Sequence, residues 1–194
     1  MATFFSTTAR NYNAVTVTDE GINTVEFLQA TEGLVSIFDL FGSVFSVVQN
    51  DMNGNIKKIR ERYLTNPEVN STLEKLVKAE QPEKKKTATE GLLWLTRGLD
   101  FTLQSLERSE ANPTEELSVS FTKGYEGTLR QYHGVLVRPV FSMAMKACPY
   151  RADFYAKLGQ DQGLVKQDLT AYLAGLRKIV VQIQTFYVAN KLDK

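Results

Sequence analysis

The sequence contains one cysteine, Cys148, and one histidine, His133. A single thiol excludes an internal disulfide and a cysteine-built zinc site, and fits a reducing compartment. A single imidazole excludes multi-histidine metal centres, so no metal is expected. No apolar run approaches the roughly 20 residues of a membrane span, so any membrane contact is expected to be peripheral and transient. Excess charge of either sign is also missing: Lys plus Arg is 23, Asp plus Glu is 22, and the formal net charge is +1. That balance argues against a general nucleic-acid binder, which draws affinity from many neutralised phosphates. Gly-rich phosphate loops, HExxH and GxSxG are absent, so neither a cofactor nor enzymatic activity is expected. The N-terminus lacks the basic start and apolar stretch of a secretory signal, and its one Arg matches a mitochondrial transit peptide only weakly. A cytoplasmic protein with a flexible arm over residues 1–22 and one domain over 23–194 is the expectation.

What the chain does have is helical periodicity. Its 194 residues are 43% hydrophobic, the size and balance of one globular domain. From Leu34, apolar residues recur at Phe38, Phe41, Phe45, Val48, Met52, Ile56, Ile59 and Tyr63, in steps of three or four that suit helix rather than strand. Gly42-Ser43 should split this run, Gly closing one helix and Ser capping the next, and Asn66-Pro67 should end it. A third helix is expected from Glu68 to Ala79, burying Val69. Thr87 with Glu90 forms a capping-box pattern opening a leucine-faced helix. A further helix should run from Thr114 through Leu136 to a break at Pro139. A small helix holds Phe154 and Leu158, and a last long one runs from Val165 to Ala189. The fold class is all-α, with seven or eight helices in layers around one core.

Asp51, Asn55 and Lys58 lie at i, i+4 and i+7, which places a carboxylate, an amide and an ammonium in a row on one helix face. Each sits one residue before a member of the apolar stripe, so the row borders the core. Such donors and acceptors suit several hydroxyls; a plain solvated face with an Asp51–Lys58 ion pair fits the spacing at least as well. Trp94, Arg97 and Phe101 share another helix face. An indole there could cover the apolar side of a sugar ring, or simply be core. His133, read as late in a helix, is on its own most simply structural. The eleven phenylalanines could form a tight aromatic core or a lining that parts for an acyl chain.

In combination these stretches resemble the glycolipid transfer protein family. The matching segments are FDLFGSVFSVVQNDMNGNIKKI, LLWLTRGLDF, KGYEGTLRQYHG and PYRADF, and the likeness looks closest to fungal members linked to heterokaryon incompatibility. The resemblance implies a two-layer helical sandwich that encloses the chains of one glycosphingolipid and moves it between membranes. It implies headgroup contacts from Asp51, Asn55, Lys58, Trp94 and Arg97, with Arg97 helping to position Asp51 or the headgroup. His133 and Asp51 would hold the ceramide amide. Phe38, Phe45, Phe101, Leu136, Phe141, Phe154 and Leu158 would line the chain pocket. Many members carry Trp two residues after the His of Y-H-G; Val135 stands there in this chain. Tyr125, Leu136 and Tyr150 are therefore the expected membrane contacts. A glycolipid sensor or signalling adaptor and a ceramide-1-phosphate carrier are the alternative functions, and no protein partner is legible.

Overall fold

The computed structural model describes residues 2–194 and is almost wholly helical. Met1, the first residue of the expected arm, lies outside the described residues. The elements are α1 (Phe4–Thr7), a two-residue hairpin of β1 (Val17–Thr18) and β2 (Gly21–Ile22), α2 (Thr24–Val35), α3 (Ser46–Thr65), α4 (Leu73–Glu80), α5 (Thr87–Ala111), α6 (Leu117–Gly127), α7 (Val137–Lys146), α8 (Arg151–Leu158) and α9 (Gln162–Ala189). The helices form a two-layer sandwich. Helix α5 is the central element and packs against α3, α4, α6 and α9. Its burial of Leu92, Leu95, Leu99, Leu103 and Leu106 follows the periodicity read from the sequence.

The long apolar run beginning at Leu34 divides as its punctuation suggests. Helix α2 gives way to a 3-10 segment, Ser36–Phe41, and the chain turns at Gly42, whose φ is 85°. Only glycine takes that conformation without strain. Ser43 caps nothing; it opens a second 3-10 turn, Ser43–Phe45, from which α3 starts.

Four expectations are corrected. Residues 2–22 are not a free arm, because Phe5, Tyr12 and Ile22 are buried. Thr3 Oγ1 donates to Asp168 Oδ2 at 2.5 Å, and Asn13 Nδ2 donates to the Ala171 carbonyl at 2.8 Å. Apolar anchors on this stretch outweigh its Ser/Thr-rich composition. Helix α4 begins at Leu73, not Glu68, and Val69 is exposed. The helix expected to reach Leu136 stops at Gly127, where two nearby glycines, Gly124 and Gly127, weaken it. His133 therefore lies in a bend, not late in a helix. Pro139 breaks nothing, since it occupies the first turn of α7, where no intrahelical N–H bond is due.

The capping box at Thr87 does not form either. The Glu80 carboxylate, buried at the end of α4, accepts from Ala88 N (3.0 Å), Thr89 N (2.6 Å) and Thr89 Oγ1 (2.7 Å). A carboxylate at a helix N-terminus satisfies orphan N–H groups and favours the positive end of the helix dipole. Glu80→Ala strands those donors and should cost about 3 kcal/mol. In a protein of this size that is a drop of roughly 6–12 °C in thermal midpoint, measurable by circular dichroism. An unchanged midpoint would mean α5 is held at its start by other contacts.

Candidate functional site

The site is built where α3 and α5 approach closely. A Cβ on Gly91 would stand 3.2 Å from Lys58 Cβ and 3.5 Å from the Asn55 carbonyl oxygen. Further along, Gly98 faces Met52 Cγ at 3.5 Å. Trp94 lies between these two glycines on α5, three residues past one and four before the other. The polar row of α3 and the indole of α5 are thus presented side by side.

Within the row, Met52, Ile56 and Ile59 are buried, as their spacing requires. Asn55 is only 3% exposed. Its Oδ1 accepts from Lys58 Nζ at 3.0 Å. That bond replaces the Asp51–Lys58 ion pair that a plain solvated face would make. Asp51 accepts no hydrogen bond from any described residue. Loss of solvent around its carboxyl raises its pKa above the ordinary value, and the Lys58 ammonium works against that shift. By surface area Asp51 is nevertheless exposed, so it is a solvent-accessible carboxylate near a cation with its acceptor capacity unspent.

Opposite the row stands an aromatic group. The Trp94 and His133 rings are nearly parallel, 6.0 Å between centroids and 19° between planes. Tyr132 meets Trp94 edge-on at 6.4 Å. The Arg97 guanidinium lies 3.7 Å from the Tyr132 ring centroid and 4.8 Å from that of Trp94. Arg97 Nη2 donates to the Asp193 carbonyl at 3.1 Å. This corrects the expectation that Arg97 positions Asp51: its contacts run to the C-terminal tail and to aromatic faces. Asp193 carries no sequence signal of its own. It reaches Arg97 because α9 ends in a turn with Lys191 at φ 58° and a Leu192 N–H bond back to the Tyr187 carbonyl.

His133 is buried and its Nδ1 lies 3.1 Å from Tyr125 Oη. Burial, then the nearby Arg138 charge, pushes the imidazole pKa down. Burial pushes the Tyr125 phenol up, against the pull of Arg130 and Arg138. Both groups are therefore neutral at pH 7. In the tautomer where the phenol donates to Nδ1, the His133 proton sits on Nε2, which becomes a donor.

Beneath this group the rings form a continuous path. His133 touches Phe141 (4.4 Å), Phe141 stacks on Tyr125 (5.7 Å), Tyr125 meets Phe101 (6.4 Å), and Phe101 meets Phe121 (5.7 Å). Phe121 then reaches Phe41 (4.9 Å), which touches Phe38, Phe45 and Phe154. Of the expected chain-lining residues, Phe38, Phe45, Phe101, Phe141, Phe154 and Leu158 are all buried. Leu136 is not: it is 89% exposed on the turn before α7. Tyr125, expected at the membrane, is 1% exposed and belongs to the interior. Tyr150 is exposed, and so are Val140 and Met143 on the outer side of α7. Sequence reasoning counted Phe41 and Phe121 among the phenylalanines of a core or lining but left them out of the expected chain-lining set, and it missed α7 as an amphipathic helix, although its three- and four-residue spacing was there to read.

A two-layer helical body with a polar row and an aromatic group above a buried path of rings defines the class of this protein. The profile of the family described as Glycolipid transfer protein (GLTP) matches residues 22–160, and the chain belongs to that family. A glycolipid transfer protein of Aureobasidium melanogenum is 47% identical over 190 residues, covering 97% of this chain and 94% of the relative. Human pleckstrin homology domain-containing family A member 8 is 35% identical across 98% of this chain, which spans 40% of that longer protein. Among solved structures, the fungal glycolipid transfer protein HET-C2 superposes with a TM-score of 0.91 at 46% identity, covering 95% of this chain and 96% of its own. The GLTP fold of FAPP2, described as selecting simple glycosphingolipids, gives 0.90 at 33% identity, with 99% and 98% covered.

The neutral His133 has a consequence for stability. Its lowered folded pKa means the unfolded chain takes up a proton first, at about pH 6.5. Its contribution is full above that pH and is lost as pH falls below it. Urea denaturation at pH 7.5 and 5.5 should therefore show wild type losing stability relative to His133→Leu on acidification. A difference independent of pH would refute the assignment of a neutral buried imidazole.

Proposed function

We propose that this protein is a non-enzymatic carrier that binds one glycosphingolipid and moves it between membranes. The unspent Asp51 carboxylate beside Asn55 and Lys58, facing Trp94 and His133 at the head of the ring path, carries the reading. A ceramide chain of about 16 carbons is worth roughly 13 kcal/mol against water, at about 0.8 per methylene. A lipid crosses water at useful speed only when something shields that surface. The apolar interior supplies the shield, and by matching the bilayer interior it adds little selectivity. The polar rim selects. Asp51 accepts from the ceramide amide N–H and a sugar hydroxyl, Asn55 and Lys58 donate to hydroxyls, and Trp94 stacks on the first ring. His133 Nε2–H donates to the amide carbonyl.

The middle member of the row favours a neutral sugar over a phosphate. Phosphate recognition gains from clustered cations, whereas the two other members of this row are an anion, Asp51, and an amide, Asn55. A charge-assisted hydrogen bond contributes about 1.5–3 kcal/mol, so Asp51→Val should slow galactosylceramide transfer between vesicles by roughly 10- to 100-fold. Trp94→Ala and His133→Leu should also slow it. Ceramide phosphate should transfer poorly with wild type. Retained transfer in Asp51→Val would remove the site from its proposed role.

Docking belongs to α7 rather than to Tyr125. Leu136, Val140, Met143 and Tyr150 are exposed on and around α7, and so are Arg130 and Lys146. Apolar side chains ringed by cations suit a membrane interface. The double variant Val140→Ser, Met143→Ser should lower vesicle binding in a sedimentation assay and leave the melting temperature near wild type. Undiminished binding would place the docking surface elsewhere.

A further inference from the structure

The ring path has a definite inner end. Trp94 and Phe101 are seven residues apart on α5, about 10 Å at 1.5 Å per residue. Two further ring-to-ring steps, 5.7 Å to Phe121 and 4.9 Å to Phe41, complete it. One leaflet of a bilayer has hydrocarbon about 15 Å deep, half of a roughly 30 Å core. The path from Trp94 to Phe41 is thus about 21 Å along the rings, longer than one leaflet is deep and so long enough for one ordinary acyl chain.

Phe41 differs from its neighbours in that cluster. Phe38 and Phe45 stack nearly parallel on each other, 5.6 Å and 13°. Phe41 instead contacts four rings at once, those of Phe38, Phe45, Phe121 and Phe154. It immediately precedes Gly42, the one sharp turn in this stretch. No heavy atom lies within 4 Å of where a Cβ on Gly42 would stand, so the backbone beside Phe41 has room to move. Beyond it, Phe154 abuts Tyr155, which lines a surface cleft of about 770 Å³.

We propose that Phe41 is the far wall of the chamber that takes the acyl chain, and so sets the longest chain the protein accepts. The inference rests on the glycolipid-carrier reading and names a specificity determinant within it. Chains that end before Phe41 leave its four ring contacts intact. Longer chains must displace the ring toward Phe154 or leave methylenes in water, at a cost that grows with each carbon.

The test is vesicle transfer of galactosylceramides that differ only in N-acyl length, from dodecanoyl to tetracosanoyl, by wild type, Phe41→Ala, Phe41→Leu and Phe5→Leu. Phe5 is a buried ring packed on Tyr172, outside the path, and controls for general loosening. In Phe41→Ala the ratio of very-long-chain to medium-chain transfer should rise roughly tenfold, the equivalent of about two newly sheltered methylenes. Phe41→Leu, which keeps most of the volume and so the fold, should shift the ratio in the same direction by roughly threefold. Phe5→Leu should leave the ratio at the wild-type value. An unchanged ratio in both Phe41 variants, or an equal shift in Phe5→Leu, overturns the inference while leaving the carrier reading intact. No transfer at any chain length by wild type overturns the carrier reading and the inference together.

Discussion

The contact between α3 and α5 at Gly91 is the constraint on which the site depends. A Cβ there would crowd the Lys58 stem at 3.2 Å and already meet the Asn55 carbonyl oxygen at contact distance, 3.5 Å. With glycine, the two helices come close enough for the Asp51–Asn55–Lys58 row and Trp94 to share one rim. The same approach buries Asn55 and directs Lys58 onto it, which leaves Asp51 as the unengaged acceptor. A wider spacing would hydrate Asn55 and separate the row from the indole, and the shared rim would be lost.

Two kinds of interaction then divide the work. At the rim, partly desolvated polar groups gain directional strength, since hydrogen bonds count for more where water is scarce. The neutral His133 and Tyr125 pair belongs to this set. Their mutual bond fixes one tautomer without bringing a charge to the mouth of an apolar interior, which would be costly. Below the rim, the ring path from Phe141 onward offers faces and edges whose one polar atom is the Tyr125 hydroxyl, already bonded to His133. Direction is needed at the top and absence of direction below, and the two meet at His133.

Much of this was legible in the sequence, for particular reasons. The α3 row could be read because helical spacing maps sequence to surface directly. The leucine face of α5 could be read because it repeats in steps of three and four from Leu92 to Leu106. What failed was local punctuation overridden by tertiary contacts. Thr87 looked like a cap, but Glu80 arrives from another helix to do that work. Residues 2–22 looked polar and loose, but Phe5 and Tyr12 find partners on α9 and α2, far away in sequence. Tyr125 looked interfacial, but the chain breaks at Thr128 and folds His133 back over it. The Arg97–Asp193 contact joins residues 96 positions apart, and no spacing rule reaches that far.

An interior made of aromatic rings also bears on how such a body opens. Each ring pair contributes only about 0.5–1.5 kcal/mol beyond its buried area. Replacing a ring–ring contact with a ring–methylene contact keeps the apolar surface out of water, so the hydrophobic term changes little. Flat side chains can part by rotation and sliding, where branched aliphatic side chains locked in interdigitated rotamers would have to be moved apart against tight packing. A core of this kind is stable when closed on itself and nearly as stable when closed on a guest. That near-equality lets a carrier load and release the same cargo, and it leaves the choice of cargo to the few polar groups at the rim.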